Sequence, residues 1–249
     1  MKTSNHLLRR LTAALLAAVL ALSIALPVFA SDDGDTIYIN SVSDLLSLAE
    51  SCAYDQWSVG KTVILQKDLS LEGMLWEPIP SFSGQFKGNG HTISDLTITG
   101  QYSPAGLFGI VEEQGSIESL SVRGIVSVSD SADTTTGGIV GINHGTLINC
   151  QFTGVVTGDS EVGGIVGRNE SEGTIDHSTA RAIVTGKSST GGIAGYNLGA
   201  ITGCTNVGSI NTEYQEASLD TDGFTAKMVD YINNKMAAAD DDATNSVTN

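Results

Sequence analysis

Three carboxylates come nearest to a catalytic pattern in this chain. When the repeating segments are aligned, Glu118, Asp176 and Asp95 fall near one outward position, and a glycoside hydrolase needs two carboxylates that flank the scissile bond. Ile148 and Thr202 interrupt this position, and the Lys and Arg residues that a polysaccharide lyase would use are scattered along the chain. A solvated surface is therefore the favoured interpretation, and we predict no catalytic residue.

The histidines do not form the motif of a zinc peptidase. Such an enzyme needs His-Glu-x-x-His, which places two imidazoles on one helical face. Neither His91, His144 nor His177 is followed by a Glu at that spacing. We expect exposed turn histidines and no metal site of this kind.

Two acidic turns are the candidates for a calcium site. Asp130-Ser131-Ala132-Asp133 and Asp159-Ser160-Glu161 precede successive glycine pairs, and Ca²⁺ takes six to eight oxygen ligands. Lys187-Ser188-Ser189 at the matching place of the next segment argues against a continued series. We predict no cofactor, with calcium as the alternative.

A glycine phrase organises the chain around these residues. Two glycines enclose two apolar or small residues at Gly106–Gly109, Gly138–Gly141, Gly164–Gly167 and Gly192–Gly195, and the starts are 26 to 32 residues apart. This period is typical of a stacked repeat. Short strands that cannot pair within one repeat must pair with the neighbouring repeats, which predicts a parallel β-helix with about five to six turns and three strands per turn.

The alignment extends from the glycines to columns of equivalent residues. The predicted inward columns are Ile93, Ile117, Leu147, Ile175, Ile201; Leu96, Leu120, Cys150, Ser178, Cys204; Ile98, Val122, Phe152, Ala180; and Ile125, Val155, Ile183. Asn89, Asn143, Asn169 and Asn197 form a further column. Asn tolerates left-handed backbone at tight turns, and stacked Asn side chains can hydrogen-bond to each other, so we predict a structural ladder there.

Three cysteines are an odd number for a secreted chain. Cys150 and Cys204 occupy one column two turns apart, which corresponds to about 10 Å. A disulfide needs Cα atoms within about 7 Å. We predict that both are unpaired and buried, whereas the sequence leaves the state of Cys52 open.

The segments that flank the repeat have different compositions. Residues 1–30 join a basic start to an apolar run that ends in Val28-Phe29-Ala30, typical of a signal peptide. Residues 31–60 predict a strand and a capping helix with Ser41 or Ser43 as N-cap and Val42, Leu45, Leu46 and Ala49 on its apolar face. The β-helix is expected at 61–213, a peripheral helix at 214–239, and a disordered acidic tail at 240–249.

These phrases resemble the GLUG-motif family of bacterial secreted and surface proteins, whose repeats also occur in immunoglobulin A peptidases and adhesin-like exoproteins. The run from Phe82 to Ile93 is similar to the segment that precedes such repeats, and the resemblance covers about 61–213. It implies a right-handed parallel β-helix in a secreted or cell-envelope setting. It implies no catalytic residues, because the motif is a structural repeat.

The acidic composition argues against partners, such as nucleic acid, that are bound by a positively charged protein surface. The net charge is −16, from 28 acidic and 12 basic residues, so we expect no binding of nucleic acid through charge. A second apolar stretch of membrane length does not follow residues 1–30, so we expect no membrane insertion after signal cleavage. The resulting prediction is a secreted or cell-surface, adhesin-like module that binds or displays extracellular glycans or proteins without catalysis. The alternative is a polysaccharide lyase or hydrolase on a lateral face.

Overall fold

The repeats form a parallel β-solenoid. The computed structural model describes residues 35–54, 56–128 and 134–211, which contain 22 strands and the helix α1, Val42–Ser51. In chain order the strands are β1 Thr36–Ile39, β2 Thr62–Leu65, β3 Leu69–Ser70, β4 Ile79–Phe82, β5 Gln85–Lys87, β6 Thr92–Gly100, β7 Phe108–Val111, β8 Ser116–Glu118, β9 Ser121–Val128, β10 Thr136–Gly137, β11 Val140–Asn143, β12 Thr146–Ile148, β13 Gln151–Thr157, β14 Val162–Gly163, β15 Val166–Asn169, β16 Thr174–Asp176, β17 Thr179–Thr185, β18 Thr190–Gly191, β19 Ala194–Asn197, β20 Ala200–Thr202, β21 Thr205–Asn206 and β22 Ser209–Ile210. The predicted signal peptide, C-terminal helix and acidic tail lie outside the described residues.

The strands stack into four parallel sheets. The first sheet runs β1-β2-β5-β8-β12-β16-β20, the second β4-β7-β11-β15-β19, and the third β3-β6-β9-β13-β17-β21, with β22 also pairing with β17. A fourth sheet of two-residue strands, β10-β14-β18, corrects the expected three strands per turn. Because β1 pairs with β2, the stack begins before residue 61, where we expected it to start. The right-handed sense stays a prediction.

One continuous apolar core fills the stack. Strand β13 alternates between half-buried and buried residues along its whole length, as a strand with one inward face must. Phe82, Phe86 and Phe108 fill the early turns, with ring centroids 5.4 to 6.3 Å apart. Later turns bury smaller side chains such as Val156 and Val184, each worth about 2 kcal/mol on removal from water.

Helix α1 begins at the predicted cap. The Ser41 hydroxyl accepts a hydrogen bond from the Asp44 amide at 3.2 Å, and the Asp44 carboxylate accepts one from the Asn40 amide at 2.8 Å. Leu45 and Leu48 are buried in the core. Leu46 was predicted on the same face but is 38% exposed. Leu48, three residues after Leu45, occupies the buried position on that face instead of Leu46. The capping role of the helix stays a prediction.

The second glycine of each phrase lets two layers of chain come close together. A Cβ on Gly141 would lie 2.7 Å from the Gly109 carbonyl oxygen and 2.9 Å from the Ala105 nitrogen. These contacts are too short for any side chain. The glycines therefore allow the two-residue strands to fold against the second sheet, which is why four sheets form instead of three.

The strand register corrects the first members of the predicted columns. Ile93 pairs with Val122, Leu96 with Gly124, and Ile98 with Val126. The register shifts between Ile93 and Leu96, where Asp95 has a φ of 59°. From the next turn onward the column of Ile117, Leu147 and Ile175 and that of Val122, Phe152 and Ala180 are confirmed. Ile201 keeps the register of its column but is 38% exposed, so its predicted burial was wrong. The sequence alignment slipped because the first turn contains a bulge.

One predicted inward column faces outward. Ile125, Val155 and Ile183 share a register position but are only half-buried, whereas the residues after them are fully buried. Adjacent β-branched residues carry no alternation that would distinguish the two faces. A shift of one residue moves a side chain to the opposite face of a strand, so the true inward column is Val126, Val156 and Val184.

The Asn ladder is confirmed, in a different backbone setting. Asn143 donates to the Asn169 side-chain oxygen, and Asn169 donates to that of Asn197, each at 2.8 Å. Asn143 and Asn169 are completely buried at strand ends. They do not occupy the left-handed turn positions that we expected, and Asn89 lies outside the column, which continues into Val111 and Phe82. The ladder satisfies polar groups inside the core.

The cysteines are unpaired thiols. Ser178 separates Cys150 from Cys204, since its hydroxyl accepts from the Cys150 amide at 3.1 Å and its own amide donates to the Cys204 sulfur at 3.4 Å. Cys150 is buried as predicted, but Cys204 is half-buried. Burial raises the pKa of Cys150 to about 12 and that of Cys52 to about 11.

Candidate functional site

The register places a lysine, and not Asp95, beside Glu118. The outward column of the first sheet runs Lys87, Glu118, Ile148, Asp176 and Thr202. Asp95 lies in the third sheet, where its carboxylate accepts hydrogen bonds from the Ser70 and Ser94 hydroxyls at 2.6 and 2.9 Å. Of the three candidate carboxylates, only Glu118 and Asp176 therefore share a face, with Ile148 between them.

Glu118 lines a shallow depression at the corner between the first and third sheets. The depression has a volume of about 320 Å³ and is lined by Lys87, Asn89, Gly90, Glu118, Ser119 and Asn149. An ammonium, a carboxylate, two amides and a hydroxyl thus converge on one open surface. Such groups both donate and accept hydrogen bonds. The depression offers a polar ligand several partners at once.

Left-handed residues build this corner. Ser119, Asn149 and His177 have φ values of 52°, 53° and 46°, and Gly203 at the next turn has 62°. The left-handed backbone turns the chain from the first sheet into the third, and Asn and Gly adopt it at low cost. The Asn149 amide donates to the Ser119 hydroxyl at 3.2 Å, which holds both side chains at the edge of the depression.

Two carboxylates outside the lining of the depression, Asp176 and Asp68, have partners of their own. Asp176 contacts the His177 ring nitrogen at 2.8 Å. Asp68 accepts from the Thr92 amide at 2.9 Å and lies 3.1 Å from the His91 ring nitrogen. The Thr92 hydrogen bond, followed by that of His91, lowers the pKa of Asp68. These contacts hold the carboxylates in place, and none of them pairs one acid with another.

The described part of the acidic turns is held by ion pairs. Asp159 pairs with Lys187 at 2.7 Å, and Glu161 pairs with Arg168 at 2.8 Å. Residues 130–133, the other predicted calcium turn, lie outside the described residues. Among residues 35–54, 56–128 and 134–211, no group of three or more His, Cys, Asp or Glu side chains is arranged to hold a metal ion.

A broad outward face lies next to the depression on the third sheet. Its three long strands present hydroxyl, amide, aliphatic and guanidinium groups in register: Ser121, Arg123, Ile125 and Ser127 on β9; Gln151, Thr153, Val155 and Thr157 on β13; and Thr179, Arg181, Ile183 and Thr185 on β17. Sequence reasoning missed this face because Ile125, Val155 and Ile183 were interpreted as core. It also missed Lys87, which an alignment of Phe86 with Ile117 would have placed beside Glu118.

The helix of the described chain does not reach across a membrane. No helix among the described residues is both long and apolar enough to form a membrane span.

A family model confirms the resemblance that the glycine phrases suggested. The model for the GLUG motif matches residues 158–185, a stretch that contains one phrase and the strands β14 to β17. The match covers one turn of the solenoid, and the same glycine phrase recurs in the turns before and after it.

Two curated proteins are similar to this chain over part of their length. Halomucin from Haloquadratum walsbyi is 32% identical over 155 residues, which cover 57% of this chain and 2% of halomucin. A protein of Evansella cellulosilytica, named as a candidate glycine-rich membrane protein, is 30% identical over 137 residues, which cover 40% of this chain and 16% of that protein. The matched regions are thus small parts of much longer relatives.

One solved structure is similar to this chain in the path of its backbone. It is the crystal structure of a candidate immunoglobulin A1 protease from Bacteroides ovatus, with a TM-score of 0.42 and 16% identity. The alignment covers 73% of this chain and 79% of that one.

Proposed function

We propose that this chain is an extracellular, non-catalytic module that binds glycans on the lateral surface of its solenoid. The corner depression carries the proposal. Lys87, Asn89, Asn149 and Ser119 place ammonium, amide and hydroxyl groups around one open surface, and sugar hydroxyls can both donate to and accept from such groups. The rigid stack fixes their spacing, so that the ligand and not the protein loses conformational freedom on binding.

The extracellular setting is supported by the chain and by its relatives. Residues 1–30 have the pattern of a signal peptide. The Evansella relative is named as a membrane protein, which fits a module that works at the cell envelope. Adhesin-like attachment to a surface glycan is the function that these features favour.

The geometry of the carboxylates favours binding over hydrolysis. Glu118 and Asp176 are separated by two strand spacings, or about 10 Å between backbones, and Ile148 stands between them. An inverting hydrolase needs its two carboxyl groups about 6.5 to 9.5 Å apart with space for water. In this protein the residue in register between the two carboxylates is the aliphatic Ile148.

The test scores retention and cleavage on the same ligands. The chain without residues 1–30 is passed over immobilised neutral and acidic polysaccharides, and the soluble fraction is assayed for new reducing or unsaturated ends. We expect retention without new ends. Ends released by the wild type but not by the Glu118→Gln/Asp176→Asn variant would instead establish an enzyme.

A variant pair connects retention to the depression. Lys87→Ala/Asn149→Gly removes two lining side chains, and glycine keeps the left-handed backbone of position 149. His177→Gly makes the same exchange one turn further on, outside the depression. Binding should weaken at least several-fold in the first variant and stay unchanged in the second. Equal binding by all three proteins would contradict this site.

A further inference from the structure

The outward face of β9, β13 and β17 differs in charge from the rest of the chain. The protein has 28 acidic residues among 249, yet these three strands contain none and carry two arginines. Arg123 and Arg181 are both exposed. In an otherwise acidic protein, this face is positively charged.

In the part of the chain that the structure describes, neither arginine takes part in a direct ion pair. Arg168 contacts Glu161 and Glu170, and Lys187 contacts Asp159. By contrast, among the described residues no carboxylate lies within 4.0 Å of the guanidinium of Arg123 or Arg181. Within the described residues, neither guanidinium group is thus held in a direct ion pair, and Arg123 interacts with the Asp68 carboxylate at longer range.

Their spacing follows from the stack. Arg123 pairs in register with Thr153, and Thr153 with Arg181, so the two arginines stand two strand spacings, or about 10 Å, apart. An extended polysaccharide laid along the stack places about one pyranose on each strand. An acid on every second sugar would then meet Arg123 and Arg181 in turn.

The columns on both sides of the arginines suit such a chain. Ser121, Gln151 and Thr179 offer donors and acceptors on one side, and Ile125, Val155 and Ile183 form an aliphatic strip on the other. A pyranose has the matching character, since its hydroxyls hydrogen-bond and its C–H face packs against apolar groups. The outward β-branched column is not part of the core, and contact with the sugar rings gives it a function.

We infer that this face binds an anionic polysaccharide with an acidic group on every second sugar, held by Arg123 and Arg181. This inference rests on the proposed function and names its ligand class. The acidic groups of the protein oppose binding only over short distances at physiological salt, where the screening length is about 8 Å, and Asp68 is the carboxylate that interacts electrostatically with Arg123. Planar guanidinium groups also bind carboxylates and sulfates through paired hydrogen bonds.

Hyaluronan tests the inference, because it carries a carboxylate on every second sugar, and its carboxyl-reduced form is a neutral polymer of the same backbone. Wild-type protein should bind hyaluronan in a salt-dependent manner and bind the reduced form at least tenfold more weakly. Arg123→Gln/Arg181→Gln should weaken hyaluronan binding about tenfold, or ~1.4 kcal/mol. Lys61→Gln/Lys187→Gln removes the same charge elsewhere and should leave binding unchanged.

The outcomes separate this inference from the proposed function. Retention of neutral polysaccharides but not of hyaluronan would overturn the inference alone, and so would equal loss of binding in both charge variants. Poly-glutamate binding as tight as that of hyaluronan, lost in the same arginine variant, would make the face a site for acidic peptides and overturn it as well. Failure to retain any polysaccharide would contradict the proposed function too.

Discussion

Replacing Asn169 with alanine tests the buried ladder that joins three turns of the solenoid. Asn169 is completely buried, and its side chain makes three hydrogen bonds. It accepts from Asn143 at 2.8 Å and donates to Asn197 at 2.8 Å and to the Gly173 carbonyl at 3.1 Å. Alanine removes all three and leaves the turns above and below without this connection.

The cost depends on which former partners can find new ones. The Gly173 carbonyl keeps its bond from the Ala200 amide, and Asn197 is exposed and can bond to water. Asn143 is buried and loses an acceptor for its amide. A buried donor left unsatisfied costs about 1 to 3 kcal/mol, and each lost bond about 1 kcal/mol. We therefore expect Asn169→Ala to destabilise the protein by about 3 kcal/mol.

Urea unfolding followed by far-UV circular dichroism measures this effect, and Asn197→Ala is the matched control. The control breaks one ladder bond instead of two, and the Asn169 amide that loses its acceptor keeps its second bond to the Gly173 carbonyl, so it should cost about 1 to 2 kcal/mol. At typical slopes, a difference between the two variants of about 1 to 2 kcal/mol moves the urea midpoint by about 0.5 to 1 M. Equal midpoints for the two variants, or no shift with Asn169→Ala, would refute the reasoning that burial makes the ladder costly to break.

Four further predictions concern packing, thiol reactivity, the pH dependence of stability and an ion pair. Gly141→Ala should lower the melting temperature, at a cost of about 1 to 3 kcal/mol from overpacking; an unchanged value would show that the layers can separate freely. Cys204 should be alkylated before Cys150 in the folded protein, as peptide mass mapping would show. Because burial raises the pKa of Cys150 from its ordinary value of 9.0 to about 12, only the unfolded thiol ionises between these values. Stability should therefore fall as the pH rises above 9.0, less so in Cys150→Ala. Arg168→Lys keeps the charge but not the two-sided contact to its carboxylates, nor the stacking 5.0 Å above Tyr196, and should cost about 1 kcal/mol in calorimetry. An unchanged stability of this variant would show that these contacts are no stronger than contacts with water.

The parts of the fold that the sequence predicted share one property, a periodic signal. The glycine phrases recur every 26 to 32 residues, and the column of Ile117, Leu147, Ile175 and Ile201 recurs with them. A parallel stack is the arrangement in which such residues fill one core. The GLUG resemblance depends on the same phrases and is confirmed at residues 158–185.

The candidate site was predicted only in part. Glu118 was considered as a catalytic carboxylate and set aside, and Lys87 and Asn149 were not considered, since neither recurs in a column. The bulge at Asp95 shifted the strand register of the first turn. No residue type in the sequence predicts this shift. The outward face of β9, β13 and β17 was hidden because Ile125 and Val126 are equally apolar and only one of them can face the core.

By itself the sequence determined that this protein is a stack of short parallel strands with glycines at its close contacts, because one repeat is too short to bury its aliphatic positions alone and must stack on its neighbours. The tertiary structure decided which side of each strand faces water. That choice depends on register, and a shift of one residue exchanges the two faces of a strand without changing its composition. The outward face of β9, β13 and β17 and the corner depression both follow from that choice. The position of Lys87 in register beside Glu118 follows from it as well.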